Sequence, residues 1–211
     1  MRARIALLTA LMLLAAPAAA FATPVVISKL KWSRRWARTG KNVVATYRAA
    51  GDTTLSFAIV NAAGVPIRDL GDNVPVGAGL HAVDWDGYAD DTTAVPDGDY
   101  RIVLTATDPN GITGTTTATI TIDDHGPRIH FKRLRLKRNG HLVITVTDPT
   151  SGMNIATLLV DGRIITRSHA LVTRFSYEPR GGWARGAHTV TVLARDRTYN
   201  FSQLTRTITV R

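Results

Sequence analysis

Two segments of this chain repeat each other at an offset of 88 residues, without a gap. The run "PDGDYRIVLTATDPNGITGTTTATITID" aligns with "ARGAHTVTVLARDRTYNFSQLTRTITVR". The aligned pairs include Gly98 with Gly186, Tyr100 with His188, Ile102 with Val190, Leu104 with Val192 and Asp108 with Asp196. In each copy an alternating apolar run, a polar turn and a second alternating run follow one another, which is typical of two paired strands. The repeat therefore predicts two tandem domains that share one β fold.

Alternation of apolar and polar residues continues through the rest of the chain. Glu occurs once, whereas Thr, Val, Ile, Gly and Asp are abundant, as expected for strands and turns. Turns at hairpin tips are predicted at Asn61–Gly64 and at Asn139-Gly140. The predicted strands include Val43–Arg48, Leu55–Val60, Gly79–Trp85, Tyr100–Thr107, Thr115–Ile122, Leu142–Thr147, Ala156–Val160, His188–Ala194 and Leu204–Val210.

Domain size and the break in the pattern divide the chain. Gly and Pro interrupt the alternation in "DDHGP", Asp123–Pro127. We predict an all-β protein of two tandem Ig-like or fibronectin-like β-sandwiches, one over residues 23–124 and the other over residues 125–211.

Residues 1–22 are typical of a secretory signal peptide. Arg2 and Arg4 precede the apolar run Ile5–Ala16, and Ala20-Phe21-Ala22 offers small residues at the two recognition positions. The alternative is an uncleaved anchor, but the apolar run is shorter than the roughly 20 residues that a spanning helix needs. We predict cleavage after Ala22, a secreted, extracellular or envelope-associated protein, and no transmembrane span in the mature chain.

The run "VDWDGYADDTTAVPDGDYRIVLTATD" contains Trp85-Asp86-Gly87, an Asp-rich connection, then Val95-Pro96-Asp97-Gly98 and Tyr100. Together with "TLSFAIVNAAGVPIRDL" upstream, it resembles the Ig-like domain of the flagellar hook-capping protein (FlgD-type) over about residues 41–122. The resemblance implies that Trp85, Asp86, Gly87, Pro96, Gly98 and Tyr100 form a structural motif. Residues 125–211 resemble bacterial Ig-like repeats only in general.

The first domain departs from the FlgD pattern in one segment. Relatives often carry Asn-Gly-Asp-Gly before this region, whereas this chain has the basic run "WSRRWARTGKN". A hook-capping protein also travels through the flagellar export channel and needs no signal peptide. The resemblance therefore implies an accessory module on an exported protein rather than a hook cap.

Acidic residues at two places raise the question of calcium. An EF-hand loop counted from Asp84 would need Gly at position six and Glu at twelve, but Gly87 falls at four and Val95 at twelve. At the domain junction, Asp123 and Asp124, with Asp108 or Asp196 nearby, form either an interdomain calcium site or a solvated linker. We predict no metal and no cofactor, and interpret the remaining candidates, Asp84, Asp86, Asp90 and Asp91, as turn formers.

Catalytic motifs are not found in the sequence. The six His form no metal-binding pair, there is no Cys, and no nucleophile elbow or phosphate-binding loop occurs. The best carboxylates for a glycosidase pair are Asp148 and Asp196, both of which read as turn formers. We predict no catalytic residue and no enzyme activity, with a secreted enzyme or accessory subunit carrying an unrecognised site as the alternative.

Positive charge is concentrated in two segments of a chain whose net charge is +10. Residues 125–211 hold fifteen basic and four acidic groups, and residues 23–48 hold seven basic groups and no acid. In "KRLRLKR" a strand would place Arg133, Arg135 and Lys137 on one face, with Leu134 and Leu136 on the other. The two clusters are Lys132, Arg133, Arg135, Lys137 and Arg138, and Arg34, Arg35 and Arg38 beside Trp32 and Trp36.

The basic clusters carry the functional prediction. They predict an exported surface or cell-wall module that binds anionic envelope polymers. A solvated basic face, or an adhesin-like module that binds another surface protein, are the alternatives. No nucleic-acid-binding motif is present, so specific nucleic-acid recognition is not predicted.

Overall fold

The computed structural model describes residues 27–169 and 174–211, and all its regular structure is β. The predicted signal peptide, residues 1–22, lies outside the described residues. No helix in this part of the chain is long and apolar enough to cross a membrane. The strands are β1 Ile27–Trp32, β2 Trp36–Ala37, β3 Val43–Ala49, β4 Thr53–Asn61, β5 Pro66–Val76, β6 Gly79–Trp85, β7 Gly98–Thr107, β8 Thr113–Ile122, β9 Arg128–Phe131, β10 Arg135–Leu136, β11 Leu142–Thr147, β12 Met153–Val160, β13 Arg163–His169, β14 Arg174–Tyr177, β15 Gly186–Asp196 and β16 Phe201–Val210.

Four sheets form two sandwiches with matching strand orders. In the first, the sheet β1-β3-β6 is accompanied by the sheet β2-β8-β7-β4-β5. In the second, β9-β11-β14 is accompanied by β10-β16-β15-β12-β13. Neighbouring strands are antiparallel except for β2 with β8 and β10 with β16. This is the predicted all-β fold of two tandem Ig-like sandwiches, and every strand run predicted above lies within an observed strand.

Each sandwich has its own apolar core, built from alternate residues of its strands. Strand β7 buries Ile102 and Leu104, and strand β15 buries Val190 and Val192, which are the residues aligned by the repeat. Because alternate side chains of a strand point to opposite faces, period-two patterning places these residues between the two sheets. Buried side chains form one cluster within residues 32–122 and a second within 136–210.

A pair of aromatic contacts recurs in both cores. Trp85 meets Tyr100 edge-on with ring centroids 5.5 Å apart, and Trp183 meets His188 at 5.4 Å. His188 therefore takes the place of Tyr100 in the second sandwich, as the repeat predicts.

The same two residues make equivalent hydrogen bonds. The Tyr100 hydroxyl donates to the Pro96 carbonyl at 2.7 Å, and His188 Nε2 lies 3.0 Å from the Ala184 carbonyl, four residues upstream in each case. The repeat thus extends from strand positions to individual polar contacts.

The two predicted hairpin turns have different outcomes. Asn61–Gly64 does connect the paired strands β4 and β5, and the Gly64 amide donates to the Asn61 carbonyl. Asn139-Gly140 was wrongly predicted as a hairpin, because β10 before it pairs with β16, whereas β11 after it pairs with β9 and β14. The turn instead carries the chain from one sheet to the other.

Candidate functional site

The aspartates around Trp85 accept hydrogen bonds, either within their own turns or from neighbouring segments. Asp86 accepts a hydrogen bond from the Tyr88 amide at 3.0 Å, and Asp91 accepts one from the Thr93 amide at 3.0 Å. Asp90 accepts from a neighbouring strand at the Asp69 amide, and Asp84 from the Asn42 side chain. Asp86 and Asp91 thus form turns of the predicted kind, whereas Asp84 and Asp90 connect to other segments.

The Trp-Asp-Gly and Val-Pro-Asp-Gly segments pack around one buried ring. The Trp85 side chain is 1% exposed, and its Nε1 donates to the Tyr88 carbonyl at 2.9 Å. Gly87 has a φ of +81°, and a Cβ there would lie 3.0 Å from the Thr39 Cα. A side chain at this position is therefore excluded both by backbone conformation and by close contact.

The two basic clusters occupy equivalent places in the two sandwiches. Each lies where the first strand leaves the three-stranded sheet and adds a short parallel strand to the five-stranded sheet, β1 to β2 in one and β9 to β10 in the other. Ala37 and Leu136 are the buried residues of these short strands. The predicted polyanion-binding side chains, Arg34, Arg35, Arg38, Lys132, Arg133, Arg135, Lys137 and Arg138, are all exposed.

A cavity of about 490 Å³ at the end of the second sandwich brings together several basic side chains. It is lined by Arg133, Arg135, Lys137, His141 and Arg211, together with Leu136 and the turn Asn139-Gly140. We call this the basic pocket. Within residues 27–169 and 174–211, no carboxylate forms an ion pair with its arginines or lysine, and only His141 is paired, with Glu178 at 3.3 Å.

The predicted two-faced strand in this segment is correct only in part. Arg133, Arg135 and Lys137 do line one pocket, and Leu136 is buried, although it lines the same pocket rather than lying only on the opposite face. Leu134 was predicted beside Leu136 but is 40% exposed, because the regular strand begins only at Arg135. Lys132 and Arg138 are exposed and do not line the basic pocket.

The first cluster lies at the junction between the sandwiches. The Arg35 guanidinium lies 5.2 Å from the Trp36 ring centroid, and Arg197 of the second sandwich lies 4.7 Å from the same ring. Cation–π contacts of this kind stabilise by about 0.5–1 kcal/mol at exposed sites. Trp36 therefore connects the two sandwiches, while Arg34 and Arg38 remain exposed around it.

The linker between the sandwiches is hydrogen-bonded to the first one at several points. The Asp123 amide donates to the Ala37 carbonyl at 2.9 Å, and the Thr39 amide donates to the Asp124 carboxylate at 2.9 Å. Asp97, from the Val-Pro-Asp-Gly segment, accepts from the Asp124 amide and contacts His125 Nδ1 at 2.6 Å. The motif that supports Trp85 therefore also holds the linker.

The second sandwich holds the same linker from its other side. Asn200 Nδ2 donates to the Asp123 carbonyl at 2.9 Å and contacts the His125 carbonyl at 3.3 Å. Gly126 lies so close that a Cβ there would meet the Phe201 carbonyl oxygen at 3.0 Å and the Ser202 hydroxyl at 2.7 Å. The junction is thus a packed polar network rather than the solvated linker that one interpretation of the sequence expected.

Three carboxylates converge at this junction. One oxygen from each of Asp123, Asp148 and Asp196 lies within 4.8 Å of the others. Asp123 is 1% exposed and Asp196 is fully buried, while Asp148 is half-buried. The sequence suggested two possible neighbours of Asp123. Asp196 does lie beside it, whereas Asp108 is not part of the cluster.

Burial and the neighbouring charge change the acidity of this group. Burial raises the pKa of the Asp123 carboxyl above its ordinary value, and the Asp196 carboxylate raises it further. The Ser151 backbone amide, which donates to the Asp123 carboxylate at 3.0 Å, acts in the opposite direction and lowers the pKa. The folded protein therefore holds Asp123 in a place where its negative charge is disfavoured.

Sequence reasoning missed three contributors to these sites. Trp183 carries no motif of its own, and only its partner His188 was placed by the repeat. Asp148 is predicted to form a turn, and its carboxylate does accept three amides of its own loop. The sequence does not indicate that Asp148 also lies beside Asp123 and Asp196. Arg211 reaches the basic pocket through the parallel pair of β10 with β16, for which the sequence has no signal.

No protein-family model matches this sequence, and no curated protein matches it. Among solved structures, the chain is similar to the Escherichia coli adhesin FdeC at 13% identity and a TM-score of 0.49, covering 88% of this chain and 66% of that one. It is similar to fibronectin(III)-like modules of Clostridium thermocellum CbhA at 17% identity and a TM-score of 0.35, covering 89% and 94%. A red sea bream transglutaminase matches at 14% identity and a TM-score of 0.38, covering 90% and 32%. These likenesses concern the fold alone.

Proposed function

We propose that this protein is an exported, non-catalytic surface module that binds anionic envelope polymers through its basic clusters. The basic pocket is the observation that carries the proposal. Arg133, Arg135, Lys137 and Arg211 converge on one cavity, and no carboxylate of the described residues neutralises them. Four unpaired cations around a cavity attract a polyanion more strongly than the same charges dispersed over a surface.

Another possible role for the basic segments is to neutralise the acidic part of the first sandwich, and the ion pairs of the described residues argue against it. Basic segments that lay against the acidic part of the first sandwich would form ion pairs with it. Within the described residues, the acidic groups of that sandwich pair only with Arg68 and His125, neither of which belongs to a basic cluster. The clusters are therefore free to face a partner.

Guanidinium groups suit phosphate and carboxylate ligands. Arg presents a planar fork of donors that binds either group bidentately. Teichoic acid phosphates, acidic glycans and anionic lipid headgroups all present such groups outside the cell. The cavity can hold one such group while the flanking Lys132 and Arg138 contact the next along the polymer.

The FlgD-type assignment and the export route belong to the same proposal. Three features support the interpretation that the first sandwich contains the FlgD-type structural motif. They are the burial of Trp85, the turn at Gly87 and the hydrogen bond between Tyr100 and Pro96. Cleavage after Ala22 would release the sandwiches outside the cytoplasm.

Salt dependence of binding tests the proposal. Binding of the exported protein to polyphosphate and to a uronic-acid polysaccharide is measured from 50 to 200 mM salt. If six anionic groups are neutralised, affinity falls on the order of a thousandfold over this range, because each contact releases a counterion. The polymer that binds more tightly identifies the class of anionic group.

A matched pair of variants separates the pocket from general charge. Replacing Arg133, Arg135 and Lys137 by Gln should flatten the salt dependence and weaken binding at least tenfold. A control variant with Gln at three other exposed arginines of the same sandwich loses the same charge and should bind nearly as the parent does. Those arginines are Arg163, Arg167 and Arg174. Equal effects of the two variants, or no binding at 50 mM salt, would refute a dedicated basic pocket.

The first cluster is tested on its own by Gln at Arg34, Arg35 and Arg38. An adhesin-like role in binding another surface protein predicts a different result, since affinity would then be almost independent of salt. Edge strand β13 offers the surface for strand addition, but its Arg163 and Arg167 are charges that commonly discourage edge pairing.

A further inference from the structure

We propose that the junction between the sandwiches binds a hard divalent cation, with Ca²⁺ as the preferred ion, through Asp123, Asp148, Asp196 and the Ser151 hydroxyl. This departs from the sequence-based prediction that the protein binds no metal. It also goes beyond polymer binding, because the site lies in the linker network rather than in either basic cluster.

The spacing of the carboxylates fits one ion. Ca²⁺ binds oxygen ligands at 2.3–2.6 Å, so two ligands of one ion lie at most about 5 Å apart. Oxygens from the three aspartates lie within 4.8 Å of one another. The three come from separate segments, namely the linker, the β11–β12 loop and the end of β15, so an ion here would tie the linker to the second sandwich.

Charge is the first physical reason for an ion. Three carboxylates meet with two of them buried, and no arginine, lysine or histidine of the described residues forms an ion pair with any of them. Arg197, next to Asp196 in sequence, points elsewhere, to the Ser151 carbonyl and the Trp36 ring. Uncompensated charge in a buried position is costly, and a divalent cation would remove that cost.

The Ser151 hydroxyl is an independent indication of a missing ligand. Ser151 is 2% exposed, and its Oγ has no hydrogen-bond partner within the described residues. The hydroxyl lies beside these carboxylates, because the backbone amide of the same residue donates to both Asp123 and Asp148 at 3.0 Å. Buried hydroxyls are normally satisfied. A cation held between these carboxylates would accept its lone pair.

One carboxylate oxygen without a hydrogen bond and an entry path are both present, while both oxygens of Asp123 and of Asp196 accept hydrogen bonds that an ion would share. The Asp148 carboxylate receives its three loop amides on Oδ1, which leaves Oδ2 for an ion. A cavity of about 310 Å³ leads to the site, and its lining includes the carboxylates Asp97, Asp123 and Asp148 as well as His125 and Arg128. An all-oxygen ligand set selects Ca²⁺ or Mg²⁺, and the irregular protein cage favours Ca²⁺, since Mg²⁺ demands near-octahedral geometry and keeps its waters.

The corresponding region of the first sandwich shows what the site adds. The β3–β4 loop of that sandwich carries Asp52, which lines one cavity together with Asp108, the residue aligned with Asp196. Asp108 accepts turn amides from Asn110 and Ile112. Within the described residues, no third carboxylate joins Asp52 and Asp108, so the three-carboxylate cluster is specific to the junction, where the linker adds Asp123.

Calcium titration of the EDTA-treated exported protein tests the inference. Calorimetry should show one site with a dissociation constant between about 10⁻⁵ and 10⁻³ M, the range of solvent-facing extracellular sites and weaker sensors. At about 100 times that concentration, the melting temperature should rise by on the order of 10 °C, reversibly with EDTA. Mg²⁺ should bind at least tenfold more weakly.

Three variants make the outcome specific. Asp148→Asn keeps an oxygen for the loop amides but removes the charge, and should weaken calcium binding at least tenfold. Ser151→Ala keeps the backbone contacts and should weaken it severalfold, which keeps the test valid if Asp148→Asn fails to fold. Asp108→Asn makes the same kind of change at the aligned turn and should leave calcium binding unchanged. The inference would be overturned by the absence of heat and of a melting shift up to about 10 mM Ca²⁺, tenfold above the dissociation constant of the weakest extracellular sites. Unchanged affinity in both junction variants would also overturn it.

Discussion

Replacing Trp85 by Ala should lower the melting temperature of the first sandwich and leave that of the second unchanged. The ring is 1% exposed and packs against Trp32 at 6.5 Å and Tyr100 at 5.5 Å, and its Nε1 hydrogen bond would be lost. Truncation of a buried Trp to Ala costs about 3–5 kcal/mol. A domain of this size is stable by roughly 5–15 kcal/mol, so the loss is a large share of the total.

The expected shift is large enough to separate the two sandwiches in one experiment. For a domain of about 100 residues, this loss corresponds to a melting temperature lower by on the order of 20 °C. Far-UV circular dichroism should therefore show two transitions in the variant. Limited proteolysis between them should leave a resistant fragment that begins near Asp123–Pro127, because the second core shares no buried residue with the first.

The equivalent change in the second sandwich is the matched control. Trp183→Ala removes the ring that meets His188, and should leave a resistant fragment that contains the first sandwich instead. Trp85→Phe, which keeps an aromatic ring and loses the indole hydrogen bond, should cost less than Trp85→Ala. A Trp85→Ala protein that melts within 2 °C of the parent, well inside the shift expected for 1 kcal/mol, would refute the packing argument. Loss of both sandwiches together in both variants would refute the independence of the cores.

Other features of the molecule lead to shorter predictions. Hydrogen bonding to Asp161 raises the pKa of His188, so this stabilisation should be complete below the unfolded pKa of about 6.5 and be lost as pH rises through the folded pKa. Thermal melts from pH 5 to 8 should show that loss in the parent and not in His188→Tyr, which copies Tyr100. Gly126→Ala should lower the melting temperature, because its Cβ would meet the Phe201 carbonyl oxygen at 3.0 Å. Mass spectrometry of the exported protein should find Thr23 at the N-terminus, and a retained N-terminal segment would contradict signal cleavage.

Strand positions were predictable here because burial follows a short local period. Ile102 and Val190 lie at equivalent buried positions of β7 and β15, and alternation alone identifies both. The repeat adds information that alternation lacks, since it aligns His188 with Tyr100 from the sequence alone. Pairing of short strands was not predictable, because Arg135-Leu136 pairs with Thr209-Val210, 74 residues later, and no local pattern encodes a contact at that separation.

The junction shows why a correct local reading can miss a site. Asp148 and Asp196 were interpreted as turn formers, and both do accept turn amides from the residues that follow them. The same side chains also meet Asp123, which depends on how the linker packs between two folded sandwiches. Local hydrogen bonding is encoded within five residues, whereas convergence of three loops depends on tertiary packing and leaves no period in the sequence.

The two proposed sites lie at opposite ends of strand β16, and the distance between them leads to one more prediction. The junction carboxylates precede Phe201, and the basic pocket adjoins Thr209-Val210, so about ten residues at roughly 3.4 Å each place them about 30 Å apart. That distance exceeds the Debye length of about 8 Å at physiological ionic strength, so calcium at the junction should not affect binding at the pocket. The cluster around Trp36 contacts Arg197, the neighbour of Asp196, and should feel the added positive charge.

The variant with Gln at Arg133, Arg135 and Lys137 lacks the basic pocket and keeps the first cluster. In this variant, calcium should therefore strengthen polyphosphate binding. It should leave binding unchanged when only the basic pocket is intact, in the variant with Gln at Arg34, Arg35 and Arg38. Because calcium also binds polyphosphate directly, both variants are compared with versions that additionally carry Asp148→Asn. An equal calcium effect on both clusters in 0.15 M salt, where the Debye length is about 8 Å, would contradict the separation. If calcium still changed polyphosphate binding in the versions that carry Asp148→Asn, the change would come from calcium bound to the polymer and not from the junction.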